Sequence, residues 1–422
     1  MNINGHISFS GDKSISHRAL MLGALADGKS TIRNLSTGVD VQSTISCLQQ
    51  CGIKIVSEGD LTIVYGNTWC NPTKPLDCGN SGTTVRLLTG LLIGKGISAT
   101  LIGDESLSNR PMNRIIQPLK LMGANIKCNN SKLPIIINSS SLNGIRYELP
   151  IASAQVKSAI LLAGLGAKGK TKIIEKTPTR DHTERMLDSL GVSIRTCQNE
   201  ITISKLSKPI TPFDWTIPDD PSTASFFISA TLLLDNSQLT IENLLLNPTR
   251  SGFISIAKKM GADIKILNKE INFNETVVKL RIRSSKLKSV TISSQEIPSM
   301  IDEIPILAVL ATQAVGKTEI RGAGELRVKE SDRINAICYN LKNMGANVRE
   351  FEDGFVVEGP TKLTGTKIKT FGDHRIAMAF SIASLISDGK NEFDNLRCID
   401  ISCPEFFELL NDLEFCNNGV ME

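Results

Sequence analysis

The chain is 422 residues long, more than one ordinary core organises, so two large domains or a repeat architecture is expected. Its 47 basic and 43 acidic residues leave a net charge of +4, and only 5% of residues are aromatic. This balance, without aromatic platforms for stacking bases, excludes a nucleic-acid binder. No apolar run reaches the roughly 20 residues that span a bilayer. The first residues, Met1-Asn2-Ile3-Asn4, show neither a signal nor a transit pattern. Ten cysteines are scattered without a CxxC pair, which argues against a metal site. A cytoplasmic chain with reduced thiols is the expectation.

From the N-terminus onward one pattern recurs: an apolar helix ends at a small or turn residue and a short strand follows. Its copies lie at 24–32, 91–101, 165–174, 233–241, 313–320 and 386–393. Gly or Asn past each helix end supplies a left-handed cap. Between the copies a second helix closes on Gly and enters a strand, at Gly52, Gly123, Gly191, Gly261 and Gly345; a sixth copy near Leu413 is degenerate. Each unit reads strand–helix–strand–helix–strand–strand with a period of about 70 residues, longer than common solenoid repeats. Six such units suggest two domains of three.

Polar clusters precede the first helix of each unit. In order they are Gly11 to Arg18, Cys78 to Arg86, Ser153 to Lys157, Asp219 to Ala224, Ile301-Asp302-Glu303 and Phe371 to Arg375. Ser, Thr and Asp there read as N-caps. Cations do not, because a helix start carries partial positive charge. Lys13, Arg18, Lys329, Arg333 and Arg375 therefore predict an anion-attracting cleft whose ligand offsets their charge. The segment 164–171 matches the phosphate-loop expression GxxxxGKT. A helix precedes it and a strand follows, the reverse of a true phosphate loop. The densest charge lies at Glu325-Leu326-Arg327-Val328-Lys329-Glu330-Ser331-Asp332-Arg333, where six of nine residues are ionised. Such a run reads first as a solvated helix face. Counted as the fifth of the six equivalent helix starts, it faces a ligand instead, with a proton-handling carboxylate between two cations.

The sequence resembles the 5-enolpyruvylshikimate-3-phosphate synthase family over essentially its whole length. The motifs that carry the resemblance are Asp12-Lys13-Ser14-Ile15-Ser16-His17-Arg18, Gly79-Asn80-Ser81-Gly82-Thr83, Asn109-Arg110-Pro111-Met112, Ser153-Ala154-Gln155, Thr179-Arg180-Asp181-His182-Thr183-Glu184, Arg327 to Arg333 and Asp373 to Met378. The resemblance implies an α/β fold, a two-domain inside-out α/β barrel of six βαβαββ repeats, three per domain. Residues 13–218 would form the domain that binds mainly shikimate 3-phosphate. Residues 1–12 with 219–422 would form the domain bringing the catalytic carboxylates and much of the phosphoenolpyruvate site. It implies transfer of an enolpyruvyl group in a cleft that closes between domains, by a cytoplasmic monomer needing no cofactor, metal, nucleic acid or membrane. Carried over by motif, shikimate 3-phosphate would be held by Lys13, Ser14, Arg18, Ser153, Ala154, Gln155, Arg180, Asp302 and Lys329. Phosphoenolpyruvate would be held by Lys13, Gly82, Arg110, Gln155, Arg333 and Arg375. Asp302 would be the hydroxyl base and Glu330 would handle the methylene proton, with Lys13 and His374 beside the chemistry.

Two departures stand out. Ala154 occupies a position where many members have a second Ser, the type that tolerates glyphosate, while Gly82 keeps the small residue at the position tied to inhibitor access. The family's usual Lys near the C-terminal Pro is replaced by Ser402-Cys403-Pro404, and Arg397 is the nearest cation that could compensate. The related transferase acting on UDP-N-acetylglucosamine uses a catalytic loop Cys, which Ser106 to Pro111 lacks. A kinase using 164–171 and a non-catalytic anion-binding repeat protein are the readings from other classes.

Overall fold

In the computed structural model, residues 2–415 are described; Met1 and residues 416–422, the outer ends of the expected C-terminal domain, lie outside them. The chain divides into two compact units. The first is Gly11–Ile217 with Asn272–Glu275, and the second is the N-terminal segment to Ser10, Pro218–Ile271 and the chain from Thr276 onward.

The first unit holds three four-stranded sheets. In one, Leu76–Asp77 pairs parallel with Ala99–Ile102, which pairs antiparallel with Lys132–Asn138, which pairs antiparallel with Asn125–Asn129. Arg146–Glu148, Lys170–Ile174, Glu200–Ser204 and Ile194–Cys197 repeat that order. So do Lys29–Arg33, Leu61–Tyr65 and Lys54–Glu58, but their parallel edge strand is Asp214–Thr216, from the far end of the unit.

The second unit repeats the order twice. Asn4–Ile7 is the parallel edge strand of the sheet containing Gln238–Leu245, Glu275–Arg283 and Asp263–Asn272. Thr291–Ile292 plays that part beside Gly316–Ile320, Gly354–Gly359 and Asn347–Phe351. Among the described residues the last repeat shows Lys367–Ile368 paired with Glu392–Phe393, in keeping with its degenerate sequence.

The two helix classes differ because their sequences do. Pro221–Leu233 is buried over all but its last residue, and Ile304–Gln313 likewise. Helices apolar all round belong inside a core. Within Pro221–Leu233, Ser225, Ser229 and Thr231 donate their hydroxyls to the helix's own carbonyls of Ser222, Ser225 and Phe227, so burying them leaves no donor unmet. In the first unit, Gly82–Lys95 packs so closely on Ala154–Gly164 that a Cβ on Gly90 would overlap the carbonyl oxygen of Ala159.

All six turns of the first pattern take left-handed backbone, with φ 129, 71, 81, 56, 103 and 91 at Gly28, Gly96, Gly169, Asn236, Gly316 and Gly389. The five closing glycines of the second pattern do so too. Residues 164–171 do join the end of helix Ala154–Gly164 to strand Lys170–Ile174. No helix start meets them, so the phosphate-loop match has no structural support.

One expectation needs correcting. The stretch 325–333 is not the fifth of the equivalent helix starts. That place belongs to Ile304–Gln313, preceded by Asp302. Residues Gly324–Val328 form a 3-10 turn, and Asp332 caps the second helix of the repeat, Arg333–Asn343. Among the described residues no helix is long and apolar enough to cross a membrane.

Candidate active site

In the first unit three helix starts carry the expected caps. Asp12 Oδ1 accepts from the Ile15 amide at 2.8 Å, Ser81 Oγ from Thr84 at 3.1 Å and Ser153 Oγ from Val156 at 3.4 Å. Lys13 Nζ lies 3.0 Å from Asp40 Oδ2. Arg18 is buried, yet its hydrogen bonds go to neutral groups: Nε donates to Thr183 Oγ1 at 2.7 Å, NH2 to Ser158 Oγ at 2.8 Å and NH1 to the Ser14 carbonyl at 2.7 Å. Burial brings its pKa down to about 10 and Arg180 pushes the same way, against Glu184, Asp12 and Glu275. A guanidinium so placed favours an arriving anion.

The buried Lys157 ammonium bridges Glu175 at 2.9 Å and Glu184 at 2.6 Å, and donates to the Thr179 carbonyl at 3.4 Å. Burial works to lower the Lys157 pKa, but the two carboxylates outweigh it and hold it above its usual value. Burial raises Glu184. The triad pins the segment carrying Arg180.

Gly82 lies beside Arg86 and Arg110, and Gln155 bonds to Arg86. Arg110 NH2 donates to Asn80 Oδ1 at 2.6 Å. Arg86, which sequence reasoning assigned no part, completes the group: its NH1 donates to Gln155 Oε1 at 2.7 Å, and Gln155 Nε2 donates to Thr83 Oγ1 at 3.0 Å. A Cβ on Gly82 would stand 2.6 Å from Arg86 NH1 and 3.4 Å from Arg110 NH1. The signal for Arg86 was available: it lies one helical turn after Gly82.

The second unit brings together Asp302, Lys329, Glu330, Arg333 and Arg375. Arg333 is buried among three carboxylates. Its Nε donates to Asp373 Oδ2 at 2.8 Å, NH2 to Glu330 Oε2 at 2.6 Å and NH1 to Asp302 Oδ1 at 3.3 Å. Burial opposes its charge, but Asp373, Glu330 and Asp302 raise its pKa well above the usual value. Lys329 Nζ is 3.7 Å from Asp302 Oδ1. Arg375 NH1 donates to the Asp302 carbonyl at 3.2 Å, and Asp373 caps the amide of Arg375 at 2.9 Å. His374 is buried at the first position of helix His374–Ser384. Ser222, read as a cap, donates its hydroxyl to the buried Glu303. Arg397 is exposed.

These contacts revise the charge argument. Lys13, Lys329, Arg333 and Arg375 are not left for a ligand to offset, because acidic side chains offset them within each unit. The carboxylates that Lys13 and Arg333 need, Asp40 and Asp373, fix their direction before any ligand arrives.

The chain has the fold of an enolpyruvyl transferase: it superposes on the enolpyruvyl transferase NikO from Streptomyces tendae with a TM-score of 0.80 at 18% identity, over 98% of this chain and 95% of that one. EPSP synthase from Acinetobacter baumannii superposes with a TM-score of 0.88 at 38% identity, covering 98% of this chain and 96% of its own. Among curated relatives, the 3-phosphoshikimate 1-carboxyvinyltransferase of Thermodesulfovibrio yellowstonii is 47% identical over 98% of this chain and 97% of its own, and that of Petrotoga mobilis is 47% identical with the same coverage. The description of the EPSP synthase (3-phosphoshikimate 1-carboxyvinyltransferase) family matches residues 1–410. The chain belongs to that family and is a transferase.

Proposed function

We propose that the protein transfers the enolpyruvyl group of phosphoenolpyruvate to the 5-hydroxyl of shikimate 3-phosphate, within aromatic amino acid biosynthesis, and releases phosphate. The hydroxyl oxygen adds to C2 of phosphoenolpyruvate while C3 takes a proton. The tetrahedral ketal then loses phosphate, and the new methyl returns a proton to the enzyme. Asp302 takes the hydroxyl proton; Glu330 gives the C3 proton and takes it back, with His374 and Lys13 beside the reacting atoms.

The first unit holds mainly shikimate 3-phosphate, through Lys13, Ser14, Arg18, Ser153, Ala154, Gln155 and Arg180, with Asp302 and Lys329 from the second. The capping oxygen of Ser153 accepts from a backbone amide, which leaves its hydroxyl proton to donate to a phosphate. Arg110, Gly82 and Gln155 with Arg333 and Arg375 hold phosphoenolpyruvate, whose carboxylate and phosphate suit guanidinium forks. Each unit is taken as three repeats of an inside-out α/β barrel, and the enzyme as a cytoplasmic monomer needing no cofactor.

The observation that carries the reading is Arg333, with Asp302 and Glu330 both in contact with its guanidinium: a base and an acid share one anion anchor. Phosphate release tests it. Phosphate should appear only with both substrates present, and release from phosphoenolpyruvate alone, or none with the pair, rejects the assignment.

A further inference from the structure

The hairpin joining strands Asp263–Asn272 and Glu275–Arg283 has an unusual tip. Its strands lie in the second unit's sheet, while Asn272–Glu275 belongs to the first unit. Phe273 and Asn274 both take left-handed backbone, with φ 37 and 64, as a two-residue type I′ turn requires. Asn enters that region at small cost, whereas a bulky Phe does not.

Contacts hold it there. The Phe273 ring stacks on Trp215 at 4.7 Å and Trp215 on Phe213 at 3.9 Å. Asn272 Nδ2 donates to the Thr216 carbonyl at 3.1 Å, Asn274 Nδ2 to Asp188 Oδ2 at 2.9 Å and Arg185 NH1 to the Asn274 carbonyl at 2.7 Å.

The seated tip delivers a carboxylate. Glu275, with no exposed surface, places Oε1 2.7 Å from His182 Nδ1, and His182 is equally buried. Among the described residues His182 Nε2 has no hydrogen-bond partner, so Glu275 is the imidazole's one strong anchor among them. Asp181, His182 and Glu275 bring ligand atoms within 4.8 Å of one another. Arg185 Nε already stands 2.8 Å from Asp181 and 4.0 Å from Glu275, so the group is an ion-paired anchor, not a cation site. The next residue, Thr183, accepts from Arg18, and Arg180 lies two residues before His182.

We propose that Glu275 is a positioning residue for shikimate 3-phosphate: through His182 it fixes the segment 180–183, and with it the guanidinium of Arg18, before the substrate arrives. The inference rests on the proposed function. Its alternative is a buried pair that adds stability and nothing else.

Steady-state kinetics and calorimetric titration of shikimate 3-phosphate on the full chain separate the two. Glu275→Gln keeps the shape and removes the charge. It should raise KM and Kd for shikimate 3-phosphate about tenfold, the loss expected of one charge-assisted hydrogen bond, with kcat and KM for phosphoenolpyruvate within about twofold. A lowered melting temperature with unchanged KM values, or equal rises in both, overturns it.

His182→Ala and His182→Asn give the second reading if Glu275→Gln fails to fold. The Asn amide reaches Glu275 from the place of Nδ1, so it should restore the KM that Ala loses; equal behaviour of the two overturns the His182 link. A wild-type chain that neither binds shikimate 3-phosphate nor releases phosphate rejects the proposed function. Normal wild-type turnover with a flat variant series rejects this inference alone.

Discussion

At the scale of single residues, Arg333 and Glu330 touch each other but will not fail alike. Removing the Arg333 guanidinium takes the paired cation from the buried Asp373, which keeps hydrogen bonds from Ser331 and the Arg375 amide, a loss of about 3–5 kcal/mol. Arg333→Ala should therefore lose urea resistance together with activity. The Glu330 side chain is 22% exposed, and Glu330→Gln leaves Arg333 paired with Asp302 and Asp373. Turnover should vanish while stability changes by less than about 1 kcal/mol; normal phosphate release by this variant would remove Glu330 from the mechanism. Gly82→Ala pushes a methyl against Arg86 and Arg110. It should raise KM for phosphoenolpyruvate more than KM for shikimate 3-phosphate, and the reverse order would relocate the ligand. His17 supplies a pH test. It is fully buried, bonded through Nδ1 to Thr44 Oγ1 at 2.7 Å, and burial, with Lys13 and Arg18, holds its pKa well below the usual value. A depressed folded pKa means that the unfolded chain takes the proton first. Stability is complete above about pH 6.5 and falls as the medium is acidified toward the folded pKa, by up to about 1.4 kcal/mol per pH unit. Urea unfolding of His17→Asn at pH 7 and 5.5 should show a smaller acid loss than the wild type.

At the scale of elements, what could be read in the chain was whatever is written locally. Left-handed turns show because Gly and Asn are the residues that occupy them. Helix starts show because Asp12, Ser81 and Ser153 are capping types. The segment 325–333 was misplaced for the same reason: local charge marks a helix start, but which helix of the repeat it begins depends on counting elements through a 3-10 turn that mimics one. The hairpin tip stayed hidden because Phe273 is not a turn-forming residue, and its reason for being there, Trp215, is distant in sequence. Arg86 could have been found and Asp373 as a partner of Arg333 could not, since 40 residues separate them. Packing gives a further test. Gly90→Ala drives a methyl into the Ala159 carbonyl and should cost about 1–3 kcal/mol in urea unfolding, against a gain if the helix simply prefers Ala.

At the scale of the whole molecule, sequence order and structural membership part company. Residues Asn4–Ile7 precede the first unit but complete a sheet of the second, pairing in parallel with Gln238–Leu245. Ile3, Ile7 and Phe9 are buried in the second unit's core. Deleting residues 1–9 should therefore raise hydrogen exchange in the second unit, around Gln238–Leu245 and Glu275–Arg283, and leave the sheets of the first unaffected. Faster exchange at Lys170–Ile174 would contradict that separation.

The tip that carries Glu275 also bears on how the chain is made. A ribosome makes residues 11–217 before Glu275, so His182 is synthesised ahead of the carboxylate that it bonds in the finished fold. Completion of the earlier unit waits on the later one, and a gene fragment ending at Ile217 would encode every sheet of the first unit but not the residue that seals it.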